Sequence, residues 1–154
     1  MFQSIIKNYK IFINRSYHTR NMLSLESLIP YSLLPLRIVL GIIFIAHGYP
    51  KLFKFKGYKE KFKSIGFPPF VLVLVGIAEF VGGIGAIFGF LTRFTAIVWA
   101  IMMIVATYLK AFKWNKGLLD GYELDLALLA GALTLFVLGA GSLSIDALIG
   151  WSLG

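Results

Sequence analysis

The chain has 154 residues, of which 58% are hydrophobic and 14% are charged, and its mean hydropathy is +0.83. This composition excludes a soluble monomer, which could not hide so much apolar surface. A net charge of +8 does not indicate nucleic acid as a partner, because most lysines lie between apolar runs and there suit membrane orientation and anionic lipid.

Residues 1–30 form a basic extension whose apolar residues recur at helical spacing. This pattern predicts an interfacial amphipathic helix. No acidic residue precedes Glu26, so an organelle-targeting segment remains an alternative, and a start at Met22 would remove most of the extension. We expect residues 31–154 to form the membrane domain.

The first predicted span runs from Leu33 to Tyr49, and Pro50 is expected to end it. Residues 51–66 follow, rich in lysine and with aromatic residues at three- and four-residue steps. This pattern predicts an amphipathic helix that lies on the membrane surface.

Three further apolar runs predict spans over Phe70–Phe90, Phe94–Leu109 and Tyr122–Leu138. The second and third spans should form an antiparallel hairpin, with Thr92 as the N-cap of the third. Asp120 and Glu123 have the spacing of a capping box for the fourth span, which the glycines at 139 and 141 should end.

The predicted fold is therefore all-α, an integral membrane four-helix bundle with an interfacial amphipathic helix between spans 1 and 2. With four spans, the lysine-rich connections 51–67 and 110–121 share one face of the membrane. The positive-inside rule places both connections in the cytoplasm, and we expect a multi-pass protein of the cell membrane.

Glu79 is the most informative position, because it lies near the middle of the second span. A carboxylate there costs about 2.5 to 3.5 kcal/mol on insertion scales, whereas the span's Leu, Ile, Val and Phe residues contribute about 4 to 8 kcal/mol in total. The span can insert, but Glu79 should face the inside of the bundle. Arg37 is the expected counter-charge, in either a structural pair or a functional one.

Small residues near Glu79 predict close helix packing. These are Gly76, Gly82, Gly83, Gly85 and Gly89.

Arg37, His47, Glu79 and Glu123 are the candidates for ligand binding or proton relay. For His47 an ordinary packed histidine is the alternative, and for Glu123 and Asp125 it is helix capping. No catalytic residue is assigned. No metal site is expected, and without cysteine no cofactor can be held through a thiolate.

Across Leu33 to Asp146 the chain resembles the DoxX-like membrane proteins. The resemblance rests on an ordered set of elements: Arg37 with Gly41, His47-Gly48 and Lys51, Gly66 and Pro68, Ala78-Glu79 with Gly82-Gly83, Gly89, Thr92-Arg93, Glu123, Gly139-x-Gly141, and Asp146. It implies a four-helix membrane fold and a link to redox metabolism, since the family takes its name from a component of a membrane thiosulfate:quinone oxidoreductase.

The leading hypothesis is a redox-associated membrane subunit that binds an amphipathic small molecule, with quinone as the candidate ligand and a redox subunit or a second copy as candidate partners. A small-molecule or proton-coupled carrier and a non-catalytic scaffold for a partner enzyme are the alternatives. Whether the chain is an enzyme stays open at this point.

Overall fold

A computed structural model describes residues 28–29 and 31–151, except for the side chains of three residues within this range, Phe55, Lys61 and Asp120. The described part is helical and contains no strand. Its helices are α1 (Leu33–Phe53), α2 (Phe55–Ser64), α3 (Pro69–Phe88), α4 (Thr92–Tyr108), α5 (Glu123–Leu138) and α6 (Ile145–Leu148). A π-helical turn at Leu109–Lys113 continues α4, and a second at Leu118–Tyr122 precedes α5.

Within the described residues, three helices are long and apolar enough to cross a membrane, namely α1, α3, and α4 with its π-helical turn. The all-α membrane prediction is therefore confirmed. At 16 residues, α5 is about 24 Å long, shorter than the ~30 Å hydrocarbon core, so the fourth span remains a prediction. The surface position of α2 also remains a prediction, and the amphipathic helix predicted within residues 1–27 lies outside the described residues.

The long helices pack as two antiparallel hairpins, α1 with α3 and α4 with α5. The centre of the bundle holds Trp99, which is fully buried and stacks on Phe44 with ring centroids 3.8 Å apart. The Trp99 indole Nε1 donates to the Ala78 carbonyl at 3.1 Å, so this large side chain is also satisfied as a donor. Trp99 thereby joins α4 to both helices of the first hairpin.

Glycines allow the backbones of α1 and α3 to touch. A Cβ on Gly41 would lie 2.7 Å from the Gly83 carbonyl oxygen, and a Cβ on Gly83 would lie 2.7 Å from that of Gly41. Near the other end, a Cβ on Gly48 would lie 2.6 Å from the Phe80 backbone nitrogen. Any larger residue would force the helices apart.

The glycines predicted to serve packing lie in three different settings. Gly76 and Gly83 face α1, whereas Gly82 faces Thr95 and Trp99 of α4. Gly85, in the last turn of α3, faces the Phe90 carbonyl of the turn to α4, and Gly89, with a φ of +68°, ends α3 in a left-handed conformation. The same stripe of small residues thus serves the contact of α3 with α1, its contact with α4, and the turn between α3 and α4.

Two expected helix ends were wrong. Pro50 does not end α1, which continues to Phe53; a proline this close to a carboxyl end removes only one intrahelical hydrogen bond. Thr92 is not the N-cap of α4 but its first residue, after Leu91 in a left-handed conformation. The Asp146 carboxylate caps this end instead, accepting from the amides of Leu91 at 2.9 Å and Thr92 at 3.0 Å.

We predict that Gly48→Ala destabilises the protein by about 1 to 3 kcal/mol, because its methyl group would meet the backbone of α3. Unfolding in detergent, followed by circular dichroism during SDS titration, measures this loss. The matched control is Gly57→Ala, where the added Cβ meets nothing within 4 Å. Equal stability of the Gly48→Ala variant and the wild type would contradict the close approach of α1 and α3.

Candidate ligand-binding site

The extra turn of α1 beyond Pro50 places Lys51 beside Glu79 of α3. The Lys51 ammonium donates to both carboxylate oxygens of Glu79. The side chains are 15% and 4% exposed, so this ion pair is largely removed from solvent. The expectation that Glu79 faces the bundle interior holds, but its partner is Lys51 and not Arg37.

A second ion pair joins α5 to the π-helical turn that continues α4. The Lys110 Nζ lies 2.8 Å from each Asp125 carboxylate oxygen and donates its hydrogen bond to Oδ1. The side chain of Asp125 is only 7% exposed and that of Lys110 is 30% exposed. Asp125 thus points into the protein, although its place in the first turn of α5 suits a surface residue that compensates the helix dipole.

Both ion pairs line one cavity of about 570 Å³ between the two hairpins. Its other walls are mostly apolar and come from α1, α3, α4 and α5, with Tyr58 and Phe62 of α2 closing one side. Among the apolar lining residues are Phe44, Val71, Val75, Ile101, Met102, Met103, Leu109 and Leu128. Mostly apolar walls with a few convergent polar groups are typical of small-molecule sites.

His47 also lines this cavity, one helical turn before Lys51. Its Nδ1 lies 2.8 Å from the Ile43 carbonyl oxygen. Because a carbonyl can only accept, Nδ1 carries the hydrogen, and Nε2 of the neutral ring is left as an acceptor. His47 is exposed, so this acceptor is accessible from outside the protein.

Arg37 lies at the opposite end of the bundle and is 1% exposed. Its guanidinium donates to four backbone carbonyls, which belong to Ala86, Ile87, Ala140 and Leu143. The Ile87 and Leu143 bonds are 3.0 and 2.9 Å long. Arg37 thereby satisfies carbonyls at the carboxyl end of α3 and ties the segment after α5 to it.

Of the four predicted site residues, the structure brings together only His47 and Glu79. Arg37 is about one bundle length away, and Glu123 is exposed and lies outside the cavity lining. Lys51, Lys110 and Asp125 complete the polar part of the cavity. Lys51 could have been found from its spacing, since it lies four residues after His47 and therefore on the same helix face.

No group of three metal-ligating side chains occurs among the described residues. The family model described as DoxX matches residues 32–111, which is more than half of the chain. The chain belongs to the DoxX family. Both members of the first ion pair and Lys110 lie inside this match, whereas Asp125 lies beyond it.

Three relatives match most of the chain. "Inner membrane protein YqjF" of Escherichia coli is 36% identical over 73% of this chain and 88% of its own length. "Putative oxidoreductase CatD" of Bacillus subtilis is 32% identical over 72% of this chain and 81% of its own length. An uncharacterised protein of Haemophilus influenzae is 34% identical over 81% and 96%. No solved structure matches the chain.

We predict that Arg37→Lys lowers the free energy of unfolding by about 3 kcal/mol. A single ammonium cannot reach both the carbonyls of α3 and those of the segment after α5. SDS titration measures the loss. Arg93→Lys is the control, since the Arg93 Nε has no hydrogen-bond partner among the described residues, and it should change stability by less than about 0.5 kcal/mol. Equal losses in the two variants would show that Arg37 has no special role.

Proposed function

We propose that this DoxX-family protein is a redox-associated membrane subunit that binds a quinone-like amphipathic molecule in the cavity between its hairpins. The observation that carries the proposal is the buried Lys51–Glu79 pair, which lies beside His47 in an otherwise apolar cavity. The name of one relative, "Putative oxidoreductase CatD" of Bacillus subtilis, supports the redox class.

A purely structural role does not explain why the Lys51–Glu79 pair is kept inside an apolar bundle. Burying two charges costs several kcal/mol per ion, and such a pair often stabilises a fold no more than apolar side chains would. The α1–α3 contact does not need it, because Gly41, Gly48 and Gly83 already allow the two backbones to touch. The pair is better explained as a set of polar groups kept inside the membrane for a ligand.

The polar groups match both redox states of a quinone. The Lys51 ammonium can donate to a quinone carbonyl, while the Glu79 carboxylate and the His47 Nε2 can accept from the hydroxyls of the quinol. The apolar walls suit the ring and the start of a hydrocarbon tail. No covalent attachment or thiolate ligand is involved.

Reduction of a quinone to a quinol takes up two electrons and two protons. This chain has no cysteine, so we assign the electrons to a redox partner subunit and the movement of protons to Glu79 and His47. Self-association of the chain is compatible with this scheme, because every side chain that the scheme uses lines the cavity of a single copy.

A proton-coupled carrier is the second candidate function. It is favoured by the position of two ion pairs in one cavity between two hairpins, since carriers place ionisable groups at such interfaces. Uptake of a labelled substrate by proteoliposomes would distinguish the carrier from a quinone-binding subunit, which needs no transport. A scaffold for a partner enzyme would require neither ligand binding nor uptake.

We predict that Lys51→Met weakens the binding of decylubiquinone about tenfold, a loss of ~1.4 kcal/mol, because a quinone carbonyl loses its ammonium donor. The dissociation constant is obtained by titrating purified protein and following the quenching of its tryptophan fluorescence, to which Trp114 of the cavity lining contributes.

The matched control is Lys59→Met, which removes an exposed lysine of α2 and should bind as the wild type does. The proposed site would be contradicted if quenching in the wild type rose linearly without saturation. It would also be contradicted if the Lys51→Met variant kept wild-type affinity.

We also propose that the lysine-rich connections 51–67 and 110–121 face the cytoplasm of the cell membrane, in line with the positive-inside rule and with a relative named an inner membrane protein. The absence of cysteine allows a direct test. In intact bacterial cells an impermeant maleimide should label Ser142→Cys, near the opposite end of the bundle, but not Lys63→Cys of α2. Labelling of Lys63→Cys alone would reverse the orientation.

A further inference from the structure

The two hairpins repeat one arrangement. Lys51 lies 18 residues after the first residue of α1, and Lys110 lies 18 residues after the first residue of α4. Each lysine binds a carboxylate on the next long helix, Glu79 on α3 and Asp125 on α5. Each hairpin therefore delivers one ammonium and one carboxylate to the cavity that separates the hairpins.

The backbone around the second ion pair is unusual. Lys110 lies in a π-helical turn, and a second π-helical turn comes directly before α5, which carries Asp125. A π-helical turn holds an extra residue, rotates the side chains that follow it and occurs frequently at functional sites. An ordinary α-helical end would suffice if Lys110 served only as a basic residue at the membrane surface.

The second ion pair also leaves part of its hydrogen-bonding capacity unused. Although Nζ of Lys110 is near both Asp125 oxygens, Oδ2 accepts no hydrogen bond from the described residues. The Lys110 side chain is twice as exposed as that of Lys51, at 30% against 15%. Its ammonium has three N–H donors and uses one for Oδ1, so it can donate to a ligand while it keeps contact with Asp125.

Holding α4 against α5 does not require this pair. The two helices already pack through buried apolar residues, namely Ala96, Ala100, Leu128, Ala132 and Leu135. The charges lie at the end of that contact, where they line the cavity instead of filling the core.

We propose that Lys110 and Asp125 form a second polar anchor, so that the cavity holds a ring-shaped ligand with hydrogen-bond acceptors at two separate edges, one for each lysine. This inference rests on the proposed function, because it needs the same cavity to bind a ligand. It adds a requirement on the ligand: a ring with a single acceptor leaves one ammonium without a ligand partner and should bind more weakly.

Two probes of similar shape test this requirement. One is 2-methyl-1,4-naphthoquinone, with two carbonyls, and the other is 2-methyl-1-tetralone, with one. The absence of cysteine removes the thiol addition that the quinone would otherwise undergo. We expect the wild type to bind the two-carbonyl probe at least tenfold more tightly, as measured by calorimetry in detergent.

The variants assign this preference to residues. In Lys110→Met the preference should fall to less than threefold, with little change for the one-carbonyl probe, whereas Lys116→Met, a neighbouring exposed lysine, should behave as the wild type. The double variant Lys110→Met/Asp125→Leu leaves no unpaired buried charge and should show the same loss while it remains folded.

The failures of the two proposals are distinguishable. If the wild type binds neither probe, the proposed function is wrong and the second anchor falls with it. If Lys51→Met loses affinity for the two-carbonyl probe while both Lys110 variants keep wild-type affinity, the cavity binds its ligand through one anchor only. In that case the second anchor is wrong and the proposed function stands.

Discussion

The contact between α1 and α3 is the constraint on which the rest of the site depends. Because glycines at both ends of this contact remove the side chains that would separate the helices, Lys51 of one helix comes within hydrogen-bonding distance of Glu79 of the other. The charges compensate each other inside an apolar bundle, and the second hairpin then encloses the remaining space as a cavity. The close contact of α1 with α3 thus accompanies an open cavity between this hairpin and the second one.

The membrane class, the helical fold and the inward direction of Glu79 could be predicted from the sequence, because long apolar runs and the cost of a buried carboxylate are local properties. The partner of Glu79 was predicted wrongly as Arg37, because Lys51 reaches the cavity only if α1 continues past Pro50. Expecting Pro50 to end that helix assigned Lys51 to the surface helix predicted over residues 51–66. One additional helical turn transfers it to the cavity wall.

Asp125 and Arg37 are two further residues whose contacts could not be predicted from the sequence. Asp125 has the sequence position of a helix-dipole residue, yet a π-helical turn, which no residue pattern announced, brings Lys110 to it inside the bundle. Arg37 looked like the counter-charge of a buried acid, yet backbone carbonyls from distant segments satisfy it. Sequence patterns do not show which carbonyls a fold leaves without partners.

The carbonyl cluster around Arg37 also bears on how the protein is made. Two of its four acceptors, in Ala140 and Leu143, lie 103 and 106 residues further along the chain. During synthesis α1 is therefore made before half of the groups that satisfy its guanidinium. The helices can insert one after another, but the hydrogen bonds of Arg37 are complete only once the segment after α5 has been made and has packed against α1.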